Sequence, residues 1–175
     1  IEGGGVCRLA LSDEDRKGRD LVVDWMKKLN LDITIDQIGN TIALRKGEED
    51  VKPIMTGSHI DTVATGGIYD GNLGVLAGLE VIETLNDAGV VTRKPVGVGF
   101  FTNEEGSRFA PDMMGSGVHQ GSLDLNNMLK VKDMDGKSVG EELEKIGYVD
   151  KTPTNFFRAD SFIEVHSEQG PILDL

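Results

Sequence analysis

The stretch Gly57-Ser58-His59-Ile60-Asp61-Thr62, continued by Gly66-Gly67-Ile68-Tyr69-Asp70-Gly71-Asn72-Leu73-Gly74, decides how this chain is read. The apolar run Pro53-Ile54-Met55-Thr56 leads into it, and Leu73-Gly74-Val75-Leu76-Ala77-Gly78-Leu79 leads out with helical spacing. The order is therefore strand, loop, helix. The loop delivers an imidazole, His59, and a carboxylate, Asp61, from a strand end, and a second carboxylate, Asp70, just ahead of a helix. Imidazole and carboxylate are ligands for divalent metals. Asp61 follows His59 by two residues, so on an extended backbone both side chains point the same way. A carboxylate there is expected to accept the free ring N–H of a ligating imidazole and fix its tautomer. The competing reading of this segment alone is a solvated loop or a hydrogen-bonded core group.

The 175 residues suffice for one domain with a real core. Lys and Arg number 18 against 30 Asp and Glu, a net charge of −12, which argues against a nucleic-acid footprint because phosphates need a basic face. No apolar run reaches the roughly 18 residues of a membrane span, and no signal peptide is visible, so no membrane partner is expected. A single cysteine, Cys7, cannot close an internal disulfide; a reducing, cytoplasmic setting is expected.

Outward from the central stretch, Ser12 reads as an N-cap for a helix to about Leu29, with Leu21, Val22, Trp25 and Leu29 as its buried stripe and Trp25 as a core anchor. Asp32 to Asp36 and Thr41 to Leu44 form a hairpin across Gly39-Asn40, and Lys46 to Lys52 a solvated loop. The helix from about Asn72 to Asn86 is expected to bury Leu76, Leu79, Val81, Ile82 and Leu85 and to end at Gly89. Val96 to Thr102 is a strand covered on both faces. Residues 107–137 carry short helical pieces at most. Ser138-Val139-Gly140-Glu141 is a capping box for a helix to about Ile146, closed by Gly147, and Ser161 to His166 is the last strand. Strands alternating with helices predict an α/β fold, with a mixed, largely parallel central sheet flanked by helices.

Three polar clusters sit at strand ends, where sites form in open α/β sheets: Gly57 to Asp61, Thr102-Asn103-Glu104-Glu105-Gly106-Ser107-Arg108-Phe109, and Val165-His166-Ser167-Glu168-Gln169-Gly170-Pro171. Glu104 and Glu105 can diverge, one ligating and one free as a base; two adjacent carboxylates repel and are costly to desolvate, and divalent cations remove that cost. The competing reading is a solvated acidic loop. His166 alone also reads as a satisfied core histidine. Arg108 is either an anion clamp or a salt bridge to Glu105 or Asp112, and His119 is a loop residue without supporting neighbours.

Taken together, Gly57 to Val63, Gly66 to Gly71, Thr102 to Phe109 and His166 to Pro171 resemble the amidase/hydantoinase/carbamoylase branch of the M20 metallohydrolases, which holds N-carbamoyl-L-amino acid hydrolases, β-ureidopropionases and allantoate amidohydrolases. The match runs from about Gly5 to the last residue. The resemblance implies an M20-type zinc hydrolase catalytic domain and a centre of two divalent ions, zinc or manganese. It assigns His59 and His166 to one ion, Asp70 as the bridge, Glu105 to the other ion, Glu104 as general base, Asp61 as the group that orients His59, and Gln169 as a substrate contact. The implied reaction is hydrolysis of the ureido C–N bond of an N-carbamoyl-L-amino acid or a related ureido acid.

Members of that branch are longer. They insert a lid and dimerisation domain and then complete the catalytic domain with another metal-binding histidine. Residues 1–175 are accordingly expected to be the N-terminal part of the catalytic domain of a homodimer. By itself this part is expected to hold at most one ion tightly and to be inactive. M20 aminoacylases and peptidases share the metal logic but carry a Gly-Arg-Gly pattern where this chain has Gly66-Gly67-Ile68-Tyr69-Asp70. Phe109 to Gly117 looks closer to carbamoylases than to allantoate hydrolases. A metal-binding piece without catalysis is the remaining alternative.

Overall fold

The computed structural model describes residues 4–168. Ser12 caps helix α1 (Asp13–Lys28), its hydroxyl accepting from the Asp15 amide, with three acidic residues in the first turn and Lys27 and Lys28 in the last. Strands β1 (Asp32–Ile35) and β2 (Thr41–Arg45) form the expected antiparallel hairpin. Strand β3 (Ile54–Ser58) leads through the glycine-rich loop to helix α2 (Asn72–Asp87), and strand β4 (Val96–Phe100) follows. Two short helices, α3 (Met114–Gln120) and α4 (Leu125–Met128), precede α5 (Val139–Ile146), which starts in a complete Ser138/Glu141 capping box and ends at left-handed Gly147. Strand β5 (Ser161–Ile163) is shorter than the expected Ser161 to His166.

The strands form one mixed sheet in the order β1-β2-β4-β3-β5. β2 runs antiparallel to β4, while β3 is parallel to both β4 and β5, with Ser58 opposite Phe100 and Thr56 opposite Ile163. The carboxyl ends of β3, β4 and β5 therefore lie side by side. That register brings the three polar clusters to one edge of the sheet.

Two buried stripes differ from those expected. α2 buries Gly74, Val75, Gly78, Leu79 and Ile82, while Leu76 and Val81 are 42% and 51% exposed. The helix lies so close to the sheet that a Cβ on Gly78 would stand 2.6 Å from the Thr56 methyl. The contact face is centred on small residues, which a search for large apolar ones misplaces by about one position. α1 buries Val22, Val23 and Met26 with Asp15 and Arg19; Leu21 is half exposed and Trp25 packs at the core margin. An ion pair at helical spacing occupies positions that periodicity reads as polar surface.

That pair is fully buried. Arg19 Nε donates to Asp15 Oδ2 at 2.9 Å, Nη1 to the Gly39 carbonyl at 2.8 Å and Nη2 to Thr102 Oγ1 at 3.2 Å. The guanidinium lies 5.4 Å from the Phe100 ring and 5.3 Å from Tyr148. Beside it, Asp36 accepts from the Ile38 and Asn40 amides and from Asn40 Nδ2. Burial pushes the Asp36 carboxyl up to about 6. Asn40 in turn accepts from the Thr102 amide and donates to the Gly115 carbonyl. These groups tie α1 and the β1–β2 turn to the end of β4. Arg19→Ala would leave Asp15 buried and unpaired, so urea unfolding should register a loss of about 3–5 kcal/mol. A loss below about 1 kcal/mol would mean that the framework is not held by this pair.

Candidate active site

His59 is the first residue past β3 and is fully buried. Its Nδ1 lies 2.9 Å from the Asp61 carbonyl. A carbonyl can only accept, so Nδ1 is the donor here and Nε2 is the nitrogen turned toward the crevice. Around that Nε2 stand His166 Nε2 at 3.3 Å, Glu104 Oε2 at 3.4 Å and Asp70 Oδ1 at 3.9 Å. His166, three residues past β5, directs Nδ1 to the Ser167 carbonyl at 2.9 Å and Nε2 to Asp70 Oδ1 at 3.5 Å. The two rings stack with centroids 5.5 Å apart. Asp70 arrives just before α2, where Gly71 turns the chain at a φ of +65°. A Cβ on Gly71 would stand 2.5 Å from the His59 ring, so the glycine is the surface on which the imidazole rests.

Asp61 acts differently from the expectation. Its carboxylate is 3.9 Å from His59 Nδ1, and its main-chain carbonyl takes the ring N–H instead. The carboxylate reaches across to the loop after β4, accepting from the Glu104 amide at 3.2 Å and the Glu105 amide at 3.3 Å. Burial pushes its carboxyl up to about 6 against the opposing pull of His59.

The two glutamates diverge. Asn103, in the left-handed region at φ +53°, turns the chain immediately before them and anchors that turn through Nδ2 to the Phe109 and Pro111 carbonyls. Glu104 faces His59 and is half-buried; burial raises its carboxyl above the ordinary value. Glu105 turns the other way, accepting from the Val63 amide at 3.3 Å, and its carboxyl is raised by burial and then by neighbouring Asp70. Glu105 thus sits beside the cluster of His59, Asp70 and His166 and not within it.

Gln169 lies outside the described residues. Arg108 is structural, with its guanidinium bridging Asp133 and Glu142 at 2.9 and 2.6 Å, so neither the anion clamp nor the expected pairing with Glu105 or Asp112 forms. His119 is no bare loop residue: it lies in α3, its Nδ1 meets the Thr154 carbonyl at 2.6 Å, and its ring packs against Phe157 and Phe101. Sequence reasoning missed Ser58, whose hydroxyl donates to Glu164, and Asn103. Asparagine's tolerance of left-handed backbone, just before paired glutamates, was the available signal.

The donor set fits a divalent ion. One ligating atom each from His59, Asp70 and His166 lie within 4.8 Å of one another. Donors held at about 2.0–2.1 Å around one tetrahedral ion lie about 3.3 Å apart. The two imidazole Nε2 atoms face each other across 3.3 Å, a contact that either a proton on His166, whose proton affinity the Ser167 carbonyl raises, or a divalent ion between the rings satisfies.

Residues 55–175 match the model of peptidase family M20/M25/M40. The chain belongs to that family. Among M20/M25/M40 relatives, it is 43% identical over 172 residues to an N-carbamoyl-L-amino-acid amidohydrolase of Rhizobium meliloti, covering 98% of this chain and 41% of that protein. The corresponding Geobacillus stearothermophilus enzyme is 39% identical, with 98% and 43% covered. The crystal structure of an amidase of the hydantoinase/carbamoylase family from Burkholderia multivorans superposes with a TM-score of 0.96 at 50% identity, over 99% of this chain and 43% of that one. The chain thus spans less than half the length of these relatives.

Gly71→Ala tests the seating of His59. The variant should keep its far-UV circular dichroism yet lose about 10–100-fold in zinc affinity by calorimetric titration, because the displaced imidazole can no longer present Nε2. Unchanged affinity would show that the ring does not depend on this contact.

Proposed function

We propose that the full-length protein is a metal-dependent amidohydrolase that cleaves the ureido C–N bond of N-carbamoyl-L-amino acids. The observation that carries this reading is the convergence of His59, Asp70 and His166 with Glu104 3.4 Å from His59 Nε2. The similarity to N-carbamoyl-L-amino-acid amidohydrolases supports the substrate class.

His59 and His166 would hold one ion, zinc or manganese; Asp70 would bridge to a second, which Glu105 would help to hold. Bound there, the ions supply Lewis-acid polarisation of the ureido carbonyl and acidify the attacking water. Glu104 accepts the proton of that water and returns it to the leaving nitrogen of the amino acid. Its burial-raised carboxyl suits a group that must both take and give a proton. The released carbamate then decomposes to carbon dioxide and ammonia. Asp61 positions Glu104 and Glu105 through their amides, and Gln169 contacts substrate. Residues 1–175 are read as the N-terminal part of a catalytic domain. The remaining length of the relatives would supply a lid and dimerisation domain and a further ligand for the second ion. A homodimer in the cytoplasm suits this reading, with the single exposed Cys7 kept reduced.

In the full-length protein, Glu104→Gln should keep its metal content and lose about 10²–10⁴-fold in turnover. A variant that loses metal but keeps its rate per bound ion would exchange the roles of Glu104 and Glu105. For residues 1–175 by themselves, calorimetry should find about one tightly bound divalent ion, since three ligands from His59, Asp70 and His166 suffice for one site whereas Glu105 and a shared Asp70 make a poor second. No hydrolysis of an N-carbamoyl amino acid should accompany it. Two tight sites, or turnover by this part, would contradict the assignment.

A further inference from the structure

Two histidines on different strands meet at the candidate metal site, and the sheet register brings them there. β3 and β5 pair Ile54 with Ser161, Met55 with Phe162 and Thr56 with Ile163. Carried three residues further, the same register sets His59 opposite His166. The rings follow it: their centroids are 5.5 Å apart, close to the roughly 4.8 Å between neighbouring strands. Yet the pairing of β3 with β5 ends at Thr56 and Ile163, three residues short of each histidine. His59 is held independently, because β3 continues to Ser58 beside β4 and the ring is fully buried against Gly71. His166 lacks these supports. β5 and the three residues after it are exposed along their length, so little apolar burial fixes this arm.

One side-chain hydrogen bond spans the gap. Ser58 Oγ donates to Glu164 Oε1. Ser58 is buried and immediately precedes His59, while Glu164 lies two residues before His166. A carboxylate acceptor places the bond in the stronger, charge-assisted class. Helix α2 packs against both strand ends at this point. A Cβ on Gly74 would stand 2.9 Å from Ser58 Cβ and 2.7 Å from the Val165 carbonyl, so only glycine admits the contact. Glu164 is not among the three converging donors, His59, Asp70 and His166. Its charge nonetheless reaches the crevice, where it adds to the raised proton affinities of Glu104 and His166. Position and charge are therefore two separable ways in which this carboxylate acts on the site.

We infer that Ser58 and Glu164 are a positioning pair: their hydrogen bond carries the β3–β5 register on to the histidines and holds His166 at the spacing from His59 that a shared divalent ion needs. The inference rests on the metal-site reading above. The pair ligates nothing itself and acts through the two strand ends that carry the imidazoles.

The test uses the full-length, metal-free protein with two readouts: calorimetric titration with zinc, and hydrogen–deuterium exchange over residues 161–166 read by mass spectrometry. His59→Ala identifies the zinc site concerned. Ser58→Ala and Glu164→Ala should each lower zinc affinity at that site by about 10–100-fold and speed exchange over 161–166. Glu164→Gln keeps an oxygen that accepts from Ser58 and should stay within about threefold of the unaltered protein. The double alanine variant should be no weaker than Glu164→Ala, because both changes remove the same bond. Additive losses, or a Glu164→Gln loss equal to that of Glu164→Ala, overturn the pair; the carboxylate then acts by charge. Zinc held through His59, with affinity and exchange unmoved by either alanine variant, overturns the pair and leaves the metal site standing. Exchange that rises in both alanine variants but not in Glu164→Gln, with zinc affinity indifferent to His59→Ala, upholds the pairing of the strand ends and overturns the metal site.

Discussion

Asp61 joins two strand ends that would otherwise be independent. Its carbonyl fixes the His59 ring and its carboxylate takes the amides of Glu104 and Glu105. One residue therefore sets both the orientation of an imidazole and the position of the neighbouring glutamates. A carboxylate in this place costs desolvation, which is why its carboxyl is pushed up to about 6. The two amides and nearby His59 offset part of that cost. Of its partners, His59 is fully buried and Glu104 is tied through its carbonyl to the Met113 amide.

Beneath that joint, the fold places polar groups where an apolar core would be simpler. Arg19, Asp15, Asp36, Asn40 and Thr102 are all buried and share hydrogen bonds. Such a network contributes little net stability relative to well-packed apolar residues, but it specifies one arrangement. Its members converge on Thr102, the residue from which the chain turns through Asn103 into the glutamates. Stability and site geometry are thus coupled at the end of β4.

The crevice concentrates negative charge. Asp61, Asp70, Glu104 and Glu105 meet there, and burial raises the carboxyls of Asp61, Glu104 and Glu105. Two imidazole Nε2 atoms face the same space. Each of these features is unfavourable in the protein alone and favourable around a divalent ion. Four of the chain's 30 acidic residues thus gather at the candidate site.

Much of this was legible in the chain. Capping residues Ser12 and Ser138, the glycine-led ends of helices and the apolar runs at 54–58 and 96–100 locate most elements, because these signals act within a few residues. The metal-type donors at three strand ends were legible too, since loops after parallel strands collect at one edge. The stripes of α1 and α2 were legible only in part: Val22, Leu79 and Ile82 are buried as expected, but one stripe also takes in a buried ion pair and the other two glycines, which have no apolar signature. The role of the Asp61 side chain was not legible, since its partners lie 43 and 44 residues away and are main-chain amides that every sequence has. The ring cluster past the end of β4 belongs to the same class. Phe101, His119, Phe157 and Phe162 share no local pattern, and only the sheet register and the path of the chain between β4 and β5 bring their rings to one wall.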